Sequence, residues 1–309
     1  MEKTRDLTAM LLRIEKSSMH DGAGLRTVVF LKGCNLRCRW CSTPESQRTE
    51  VELGFDAALC LGCGACANNC PGRALSRPAG GRIAVEPGRC RRCWLCRDIC
   101  PQRALFYYGR EASVAEVLDT VLKDEVFYFY SGGGVTVSGG EPLLQADFVT
   151  ELLKRCKSQG LNTAVETNFC LPWSMAAQPL PYLDTLFVDI KHSDSGLHEQ
   201  LTGAQNNAVL ENITLADNSP LPFGIVIRLP LIPGLNDDEP NLSKTAALAA
   251  SLTKLKYLEI LPYHRLGSGA YAKLGRDYAL QNLSAPGPAY VAEKCAFIKS
   301  CQPKLEVRY

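Results

Sequence analysis

Closely spaced cysteines are the residues of this chain that most directly indicate chemistry. The sequence has fifteen cysteines in 309 residues, and eleven of them form three clusters before residue 101. The first cluster, Cys34, Cys38 and Cys41, has the spacing C-x3-C-x2-C and follows an apolar stretch at 27–31. Such short intervals let thiolates converge on one inorganic core, whereas disulfide geometry does not require them. We therefore expect metal or iron–sulfur binding rather than a disulfide framework.

The first cluster is one ligand short of the four thiolates that hold a [4Fe–4S] centre. An iron with an open position is a place for an exogenous ligand, as in catalytic metal sites. The alternative is a structural zinc or iron site that takes a distant fourth cysteine, such as Cys156 or Cys170. The motifs that surround the cluster favour the open site.

The second and third clusters are copies of one another. Each reads C-x2-C-x2-C-x3-C-P and is followed by Arg-Ala-Leu. The pattern resembles that of bacterial ferredoxins with two [4Fe–4S] clusters, in which the fourth cysteine of each run ligates the other cluster. That resemblance implies two ligand sets, namely Cys60, Cys63, Cys66 and Cys100, and Cys90, Cys93, Cys96 and Cys70. A zinc ribbon also uses four ligands per ion, but the spacing with Pro71 and Pro101 favours the ferredoxin pattern.

Length, charge and hydropathy bound the class of protein. The chain is long enough for about two domains, and 46 % hydrophobic residues supply a buried core. The net charge of +2 is close to neutral, which argues against a protein dedicated to nucleic acid or membrane surfaces. No apolar run approaches the ~18 residues of a membrane span, and the stretch at 7–12 is too short for a signal peptide. We expect a cytoplasmic monomer that binds neither nucleic acid nor a membrane.

Composition divides the chain into an insert and a surrounding domain. Residues 51–105 hold the cysteine repeat and turn-forming residues such as Pro78, Gly80 and Gly81, which predict turns between very short strands. Residues 51–110 contain nine arginines, no lysine and four acidic residues, hence a net charge of +5. We expect one small domain at 51–105, inserted into a larger domain made of 1–50 and 106–309.

Outside the insert, β-branched apolar stretches alternate with segments of helical periodicity. The predicted strands lie at 27–31, 135–137, 163–165, 186–190, 225–229 and 258–261, with one more at 305–309. The predicted helices include 114–127, 145–158 and 241–254. Six strands alternating with helices imply a parallel sheet with right-handed crossovers, either open or closed into a barrel. In such sheets ligands bind beyond the carboxyl ends of the strands.

The motifs around the first cluster carry a family resemblance. C-x3-C-x2-C after the first strand, with Trp40 immediately before the third cysteine, resembles the radical S-adenosylmethionine superfamily. Four segments are similar, in order, to the activating enzymes of glycyl radical enzymes: 21–34, 132–142, 189–191 and 261–267. The resemblance covers nearly the whole chain. It implies an α/β fold, an incomplete parallel (β/α)6 TIM-like barrel with an inserted α+β ferredoxin-like domain that holds two [4Fe–4S] clusters.

The same resemblance implies roles for individual residues. Cys34, Cys38 and Cys41 hold a [4Fe–4S] cluster whose open iron takes the amino nitrogen and carboxylate of S-adenosylmethionine. The resemblance places Gly139, Gly140 and Glu141 at the ammonium of S-adenosylmethionine, and Trp40, Cys41 and Ser42 at its adenine. It places a third group along the methionine and ribose, namely Asp189, Ile190, Lys191, His192 and Ser193. Lys191, counted with the three cysteines as catalytic, and Arg228 supply cations for the carboxylate, and His264 contacts the nucleoside. Taken alone, Lys191 would equally suit a solvated surface, and His264 a turn cap.

A monovalent-cation site is also implied, near Glu166, Thr167 and Asp189. The family more usually has Asp at the first of these positions, whereas this chain has the longer Glu166. The site would lie beside the bound S-adenosylmethionine.

The implied activity is radical chemistry on a protein partner. A reduced site cluster cleaves S-adenosylmethionine to methionine and a 5′-deoxyadenosyl radical, which takes a hydrogen from a backbone glycine of a glycyl radical enzyme. Reduced flavodoxin or ferredoxin is the implied electron donor, and the two insert clusters bring the total to three [4Fe–4S] clusters. Two alternatives stay open: a radical S-adenosylmethionine enzyme that acts on a different peptide or small molecule, and a non-catalytic iron–sulfur electron carrier.

Overall fold

The computed structural model describes residues 6–77 and 83–309, so the turn predicted at Pro78, Gly80 and Gly81 lies outside the described residues. Its strands are β1 (Thr8–Ser18), β2 (Arg26–Leu31), β3 (Glu52–Phe55), β4 (Leu75–Ser76), β5 (Ala84–Val85), β6 (Leu105–Tyr108), β7 (Arg110–Ser113), β8 (Gly134–Gly139), β9 (Asn162–Thr167), β10 (Thr185–Asp189), β11 (Gly224–Leu231), β12 (Leu255–Pro262) and β13 (Val307–Arg308). Its helices are α1 (Ala65–Asn68), α2 (Leu95–Asp98), α3 (Val114–Leu122), α4 (Glu125–Ser131), α5 (Ala146–Ser158), α6 (Trp173–Ala176), α7 (Ser195–Thr202), α8 (Asn207–Asp217), α9 (Glu239–Ser251), α10 (Ser268–Lys273) and α11 (Pro288–Cys301).

Within these ranges, nine strands form one sheet in the order β13-β12-β11-β10-β9-β8-β2-β1-β7. Strands β2 and β8 to β13 are parallel, and β1 pairs antiparallel with both β2 and β7. The six predicted parallel strands are confirmed to within a few residues, and the C-terminal strand is shorter than predicted. The sequence reading missed β1, whose alternating charged residues such as Arg13 and Lys16 conceal its apolar face.

The prediction of one helix at 114–127 is wrong in its extent. The chain forms two helices there, α3 and α4, which are separated at Lys123 and Asp124. Two contacts hold Asp124 at this break. Its Oδ1 lies 2.9 Å from Lys16 Nζ, and its Oδ2 accepts from Thr27 Oγ1 at 3.0 Å. These contacts to β1 and β2 override the helical periodicity of the segment.

The two faces of the parallel sheet differ in chemistry. Val135 and Val137 of β8 belong to the main core, whereas Thr136 and Ser138 between them face the other side. Helices pack on the first face through buried residues that include Val117, Leu152, Ile213, Leu242 and Ile298. The second face has a small apolar layer of Ala164, Phe187 and Val226, with polar side chains towards the carboxyl ends of the strands. That polar end positions the candidate site.

The insert is a structural repeat as well as a sequence repeat. It contains the antiparallel pairs β3–β6 and β4–β5, and one short helix, α1 or α2, in each copy. Left-handed backbone conformations recur at matching positions of the copies: Gly62 and Arg92, Gly64 and Trp94, and Arg73 and Arg103. The chain therefore keeps the same loop path in both copies, even where one copy has arginine or tryptophan in place of glycine.

Candidate functional site

A cavity of about 390 Å³ opens at the carboxyl ends of the parallel strands. Its volume lies within the range of small-molecule sites, about 300–1,000 Å³. Most of the residues predicted to bind S-adenosylmethionine or the first cluster line it: Cys34, Cys38, Trp40, Cys41, Ser42, Gly139, Gly140, Asp189, Lys191, Arg228 and His264. The structure thus brings together predicted residues from five separate segments of the chain.

Backbone contacts hold the loop that carries the first cysteine cluster. Arg37 N donates to Thr202 O at 2.6 Å, and Arg39 N donates to Leu201 O at 3.1 Å, both at the end of α7. Trp40 is buried in a cluster that includes Tyr263 and Tyr271. The end of α7 and the aromatic cluster therefore hold the loop in place, and its three cysteines line the cavity.

The three thiols share a buried environment. Burial raises the pKa of Cys34 to about 11 and that of Cys38 to about 12, and it also raises the pKa of Cys41. Asn168 Nδ2 lies 3.7 Å from Cys34 Sγ. Protonated thiols must lose their protons before they ligate iron, so cluster assembly here releases protons.

Gly139 and Gly140, at the end of β8, lie so close to neighbouring backbone that a side chain would clash there. A Cβ on Gly139 would lie 2.1 Å from Leu31 O, and one on Gly140 would lie 2.3 Å from Gly33 O. The backbone of β8 therefore packs directly against the root of the cysteine loop. Glycine is therefore required here for backbone packing, and both glycines also line the cavity.

Glu141 is not among the residues that line the cavity. Its carboxylate accepts from Asn168 N at 2.7 Å, from Thr167 Oγ1 at 2.8 Å and from Leu143 N at 3.0 Å. Burial raises the pKa of Glu141 to about 7, although these hydrogen bonds lower it. The carboxylate thus ties the ends of β8 and β9 together, and the structure does not aim it at the cavity as predicted.

Lys191 faces the cavity, with its Nζ 2.9 Å from Asp189 Oδ2. Burial alone would lower the pKa of Lys191, but the charge of Asp189 and the neighbouring thiols hold it above its ordinary value. The lysine side chain is only 11 % exposed. The alternative of a solvated surface lysine is therefore wrong for this residue.

Arg228 lines the cavity, but its guanidinium already has protein partners. Its Nη1 lies 2.6 Å from Glu166 Oε1, and its Nε lies 2.7 Å from Glu259 Oε2. Burial alone would lower the pKa of Arg228, and the two carboxylates hold it above its ordinary value. Ser138 Oγ donates to the second oxygen of Glu166 at 2.7 Å.

The residues predicted to hold a monovalent cation do not present free oxygens to one point. Both carboxylate oxygens of Glu166 accept from protein donors, and Thr167 Oγ1 donates to Glu141. Asp189 pairs with Lys191. These side chains do not fit a cation site in this arrangement.

Three of the predicted ligand-binding residues lie behind the cavity wall rather than on it. Ile190 N donates to Arg228 O at 2.8 Å, and Ser193 N donates to Asn241 Oδ1 at 2.7 Å. His192 is buried, and its Nδ1 accepts from Asp194 N at 2.9 Å. This segment therefore fixes the loop that follows β10, whereas Lys191 alone of residues 190–193 lines the cavity.

Sequence reasoning missed other residues that line the cavity. These are His20, Asp21, Ser138, Asn168 and Tyr263, among others. Ser138 and Asp21 lie within motif segments that the family resemblance had marked, so position in the motif could have found them. Asn168 directly follows Glu166 and Thr167, and its contact with Cys34 depends on the fold.

The eight cysteines of the insert line two further pockets. Cys60, Cys63, Cys66 and Cys100 line one, and Cys70, Cys90, Cys93 and Cys96 line the other. Each pocket combines three cysteines of one copy with the fourth of the other, which is the crossed arrangement that the ferredoxin resemblance implies. Among the described residues, no three His, Cys, Asp or Glu side chains converge closely enough to hold a single metal ion. The case for clusters thus depends on the crossed grouping.

The described part of the chain contains no helix with the length and apolar character needed to cross a membrane.

Comparison with known proteins identifies two domain families. The family described as "Radical SAM superfamily" matches residues 87–245, and that described as "4Fe-4S dicluster domain" matches residues 52–101. The chain is also similar in fold to a Streptococcus suis structure titled as SuiB bound to the precursor peptide SuiA. The TM-score is 0.53 at 14 % identity, over 91 % of this chain and 47 % of that one.

Curated relatives match over most of their length. The isethionate sulfite-lyase activating enzyme of Nitratidesulfovibrio vulgaris is 42 % identical over 277 residues, which are 88 % of this chain and 90 % of that protein. The (2S)-3-sulfopropanediol dehydratase activating enzyme of Klebsiella oxytoca is 38 % identical, over 89 % of this chain and 88 % of that protein. The choline trimethylamine-lyase activating enzyme of Oleidesulfovibrio alaskensis is 39 % identical, over 88 % and 89 % respectively.

Proposed function

The chain belongs to the radical S-adenosylmethionine superfamily, among the activating enzymes of glycyl radical enzymes, and we propose how its own residues perform that activity. When bound, the site cluster and S-adenosylmethionine supply the 5′-deoxyadenosyl radical that takes a hydrogen from a backbone glycine of the partner enzyme. The chain's contribution is to hold, orient and shield these groups. The observation that carries the proposal is that Cys34, Cys38 and Cys41 line one cavity together with Lys191 and with the two glycines at the end of β8.

We assign the cavity residues by their chemistry. Cys34, Cys38 and Cys41 hold a [4Fe–4S] cluster, because among the described residues these three cysteines and no fourth line the cavity. Lys191 neutralises the carboxylate of S-adenosylmethionine. Its ammonium has one carboxylate partner, Asp189, and both residues line the cavity. Trp40 and Ser42 lie beside the cysteines, and we assign them and His264 to the nucleoside. The backbone of Gly139 and Gly140 contacts the amino acid portion.

Other predicted residues receive supporting roles. We propose that Glu141 positions the end of β9 rather than contacting the ligand, and that Arg228 organises the polar face of the sheet through Glu166 and Glu259. Ile190, His192 and Ser193 shape the loop after β10. No monovalent cation is included, because the side chains predicted to hold it are engaged by other protein groups.

The insert, which we place at 51–105, holds two further [4Fe–4S] clusters in its crossed cysteine pockets. This gives three clusters in the chain. The remaining residues, 1–50 and 106–309, form the incomplete (β/α)6 barrel, and the open edges of the sheet at β7 and β13 support that assignment. We propose that the enzyme is a cytoplasmic monomer that receives electrons from a reduced flavodoxin or ferredoxin.

The partner is a glycyl radical enzyme, and the names of the relatives suggest which substrate class to propose for it. Two of the three relatives named above carry isethionate sulfite-lyase or sulfopropanediol dehydratase in their names. We propose a partner that acts on a small sulfonate.

The test of the cavity assignment is the variant Cys34→Ala/Cys38→Ala/Cys41→Ala. After anaerobic reconstitution we expect a loss of about four of roughly twelve irons and no 5′-deoxyadenosine. Electron paramagnetic resonance should show a glycyl radical on the partner enzyme with the wild type and none with the variant. The control is Cys156→Ala/Cys170→Ala, which removes the candidate distant fourth ligands. If the control loses the iron instead, the open-site assignment is wrong.

A further inference from the structure

The acidic residues of the insert are all engaged in ion pairs. Glu52 lies between Lys32, at 2.8 Å, and Arg276. The other pairs are Asp56 with Lys273 at 3.0 Å, Glu86 with Arg89 at 3.4 Å, and Asp98 with Arg97 at 2.9 Å. No carboxylate of this domain is left to neutralise the other arginines in the described part of the chain.

Five arginines of the insert each adjoin a residue that lines one of its two cysteine pockets, or line a pocket themselves, and we call the set the arginine face: Arg73, Arg77, Arg91, Arg92 and Arg103. All five are exposed, and none has an ion pair within residues 6–77 and 83–309. Since the acids of the domain are engaged elsewhere, these arginines are the unpaired charged side chains on the described surface of the insert, and the negative charges nearest to them are the thiolate-ligated clusters proposed for the pockets behind them. Exposed charges of one sign on a small domain attract a partner of the opposite sign over distances of about 10 Å.

The arginine face surrounds the two cysteine pockets of the insert. Arg91 lines the pocket of Cys93, and the side chain of Arg77 packs beside Gly64, next to Cys63. Cys63 and Cys93 are the two exposed cysteines of the eight. An arginine thus lies beside the exposed cysteine of each pocket.

A groove of about 320 Å³ runs from the arginine face to the larger domain, where its cations Lys273 and Arg276 are paired with Asp56 and Glu52. Arg92 and Cys90 line it on the insert side, and Lys273 and Arg276 of the α10 region line it on the other. Cys90 also lines the second cysteine pocket. An acidic surface seated in this groove would contact the wall of that pocket directly.

We propose that the arginine face is the docking surface for an acidic one-electron carrier protein. This inference rests on the proposed function, because it identifies the surface that receives the electron donor. A carrier must approach the redox centre closely to transfer an electron, and it gives up one electron while the chain is reduced by one. The positive surface surrounds the most exposed cysteines, and that placement favours a redox partner over nucleic acid, which needs no redox centre.

The test measures docking directly with the reconstituted, full-length enzyme. The probe is an oxidised flavodoxin of strongly negative net charge, and binding is followed by anaerobic calorimetry at 20 and 200 mM salt. We expect affinity for the wild type to fall with salt. The variant Arg73→Gln/Arg92→Gln/Arg103→Gln should bind at least about tenfold more weakly at low salt, and the corresponding Arg→Lys variant should bind like the wild type.

The matched control removes three positive charges elsewhere, as Lys154→Gln/Lys299→Gln/Lys304→Gln, all exposed and outside the insert. It should bind the flavodoxin like the wild type. Equal weakening by both triple variants would overturn the proposal, because net charge and not the face would then explain binding. Unchanged binding by the arginine variant would also overturn it, as would tighter binding of a positively charged cytochrome c or of a single-stranded oligonucleotide to the same arginines.

Iron content and chemically driven cleavage keep the two proposals apart. With dithionite as reductant, the arginine variant should retain wild-type iron and 5′-deoxyadenosine formation. If it loses iron, the arginines stabilise the insert clusters and the docking proposal fails, while the cavity assignment stands. If the wild type itself makes no 5′-deoxyadenosine with dithionite, the proposed function fails whatever the flavodoxin does.

Discussion

Lys32 Nζ lies 2.8 Å from Glu52 Oε2, and this buried ion pair joins the larger domain to the insert. Lys32 follows β2 and precedes Gly33 and Cys34, and Glu52 begins β3. The side chain of Lys32 is fully buried, and its Nζ also donates to Glu45 O at 2.6 Å and Arg48 O at 2.8 Å. The root of the loop that carries Cys34, Cys38 and Cys41 and the first strand of the insert are thus fixed by the same ammonium group.

Removing one partner of this pair should destabilise the chain strongly. Glu52→Gln leaves the Lys32 ammonium buried without a carboxylate, which costs about 3–5 kcal/mol for a pair of this kind. We expect a lower thermal midpoint and loss of iron during purification. Arg48→Gln is the control, because Arg48 contacts the same carboxylate at 3.6 Å but is 56 % exposed. Its effect should stay below about 1 kcal/mol, and equal effects would show that the buried pair does not join the domains.

The crossed cysteine pockets predict a specific order of iron loss. The variant Cys60→Ser/Cys63→Ser/Cys66→Ser should lose one cluster, about four irons. Adding Cys100→Ser should cost no further iron, because Cys100 lines the pocket already disrupted.

Adding Cys70→Ser to the same triple variant should cost a second cluster, because Cys70 lines the intact pocket. Iron analysis and absorbance of the reconstituted variants distinguish the two quadruple variants. The reverse order would mean that each run of four cysteines holds its own cluster. Circular dichroism identifies variants whose insert has unfolded, since metal binding and folding are coupled in small metal domains.

The parts of this molecule that the sequence predicts well depend on local patterns. Cysteine spacing predicts the three ligands that each copy gives to its own pocket, because cysteines separated by two residues lie on one loop, whereas the fourth ligand comes from the other copy and was implied by the ferredoxin resemblance. Strands such as β8 and β11 are buried on both faces, so they appear as continuous β-branched runs. The sequence did not predict β1, because this strand lies next to the edge strand of the sheet and exposes charged side chains.

The direction of a side chain at a strand end depends on register, which the sequence does not reveal. Arg228 pairs in register with Asp189 of β10 and Glu259 of β12. This register brings Glu166, two strands away, within 2.6 Å of the same guanidinium. From the sequence alone, Arg228 was predicted to bind a ligand. In the fold, carboxylates from β9 and β12 engage its guanidinium instead.

Lys191 should contribute to ligand affinity without affecting cluster content. Lys191→Ala removes a charge-assisted contact to a carboxylate, worth roughly 1.5–3 kcal/mol, so affinity for S-adenosylmethionine should fall about ten- to a hundred-fold. Anaerobic calorimetry measures the affinity, and iron analysis should match the wild type. The control is Lys157→Ala, which breaks a similar pair with Asp184 at 2.8 Å outside the cavity. Wild-type affinity in Lys191→Ala would remove this lysine from the site.

The free energy of unfolding should depend on pH through Glu141, because burial raises the pKa of this carboxyl group in the folded chain. Its pKa in the folded chain is about 7, with burial as the largest cause, against about 4.3 when unfolded. The folded chain therefore binds the extra proton in this range. The stabilising contribution is fully present below pH 4.3 and is lost as the pH rises to about 7. At about 1.4 kcal/mol per pKa unit, the contribution is at most about 4 kcal/mol.

The measurement compares the iron-free wild type with Glu141→Gln between pH 5 and 8. Thermal unfolding midpoints of the wild type should fall with rising pH up to about 7, and those of Glu141→Gln should fall less because glutamine does not titrate. Glu211→Gln, on the exposed surface of α8, should follow the wild-type profile. Parallel profiles for wild type and Glu141→Gln would show that the donors from Thr167, Leu143 and Asn168 outweigh burial. The carboxylate would then stay ionised while it holds β8 to β9.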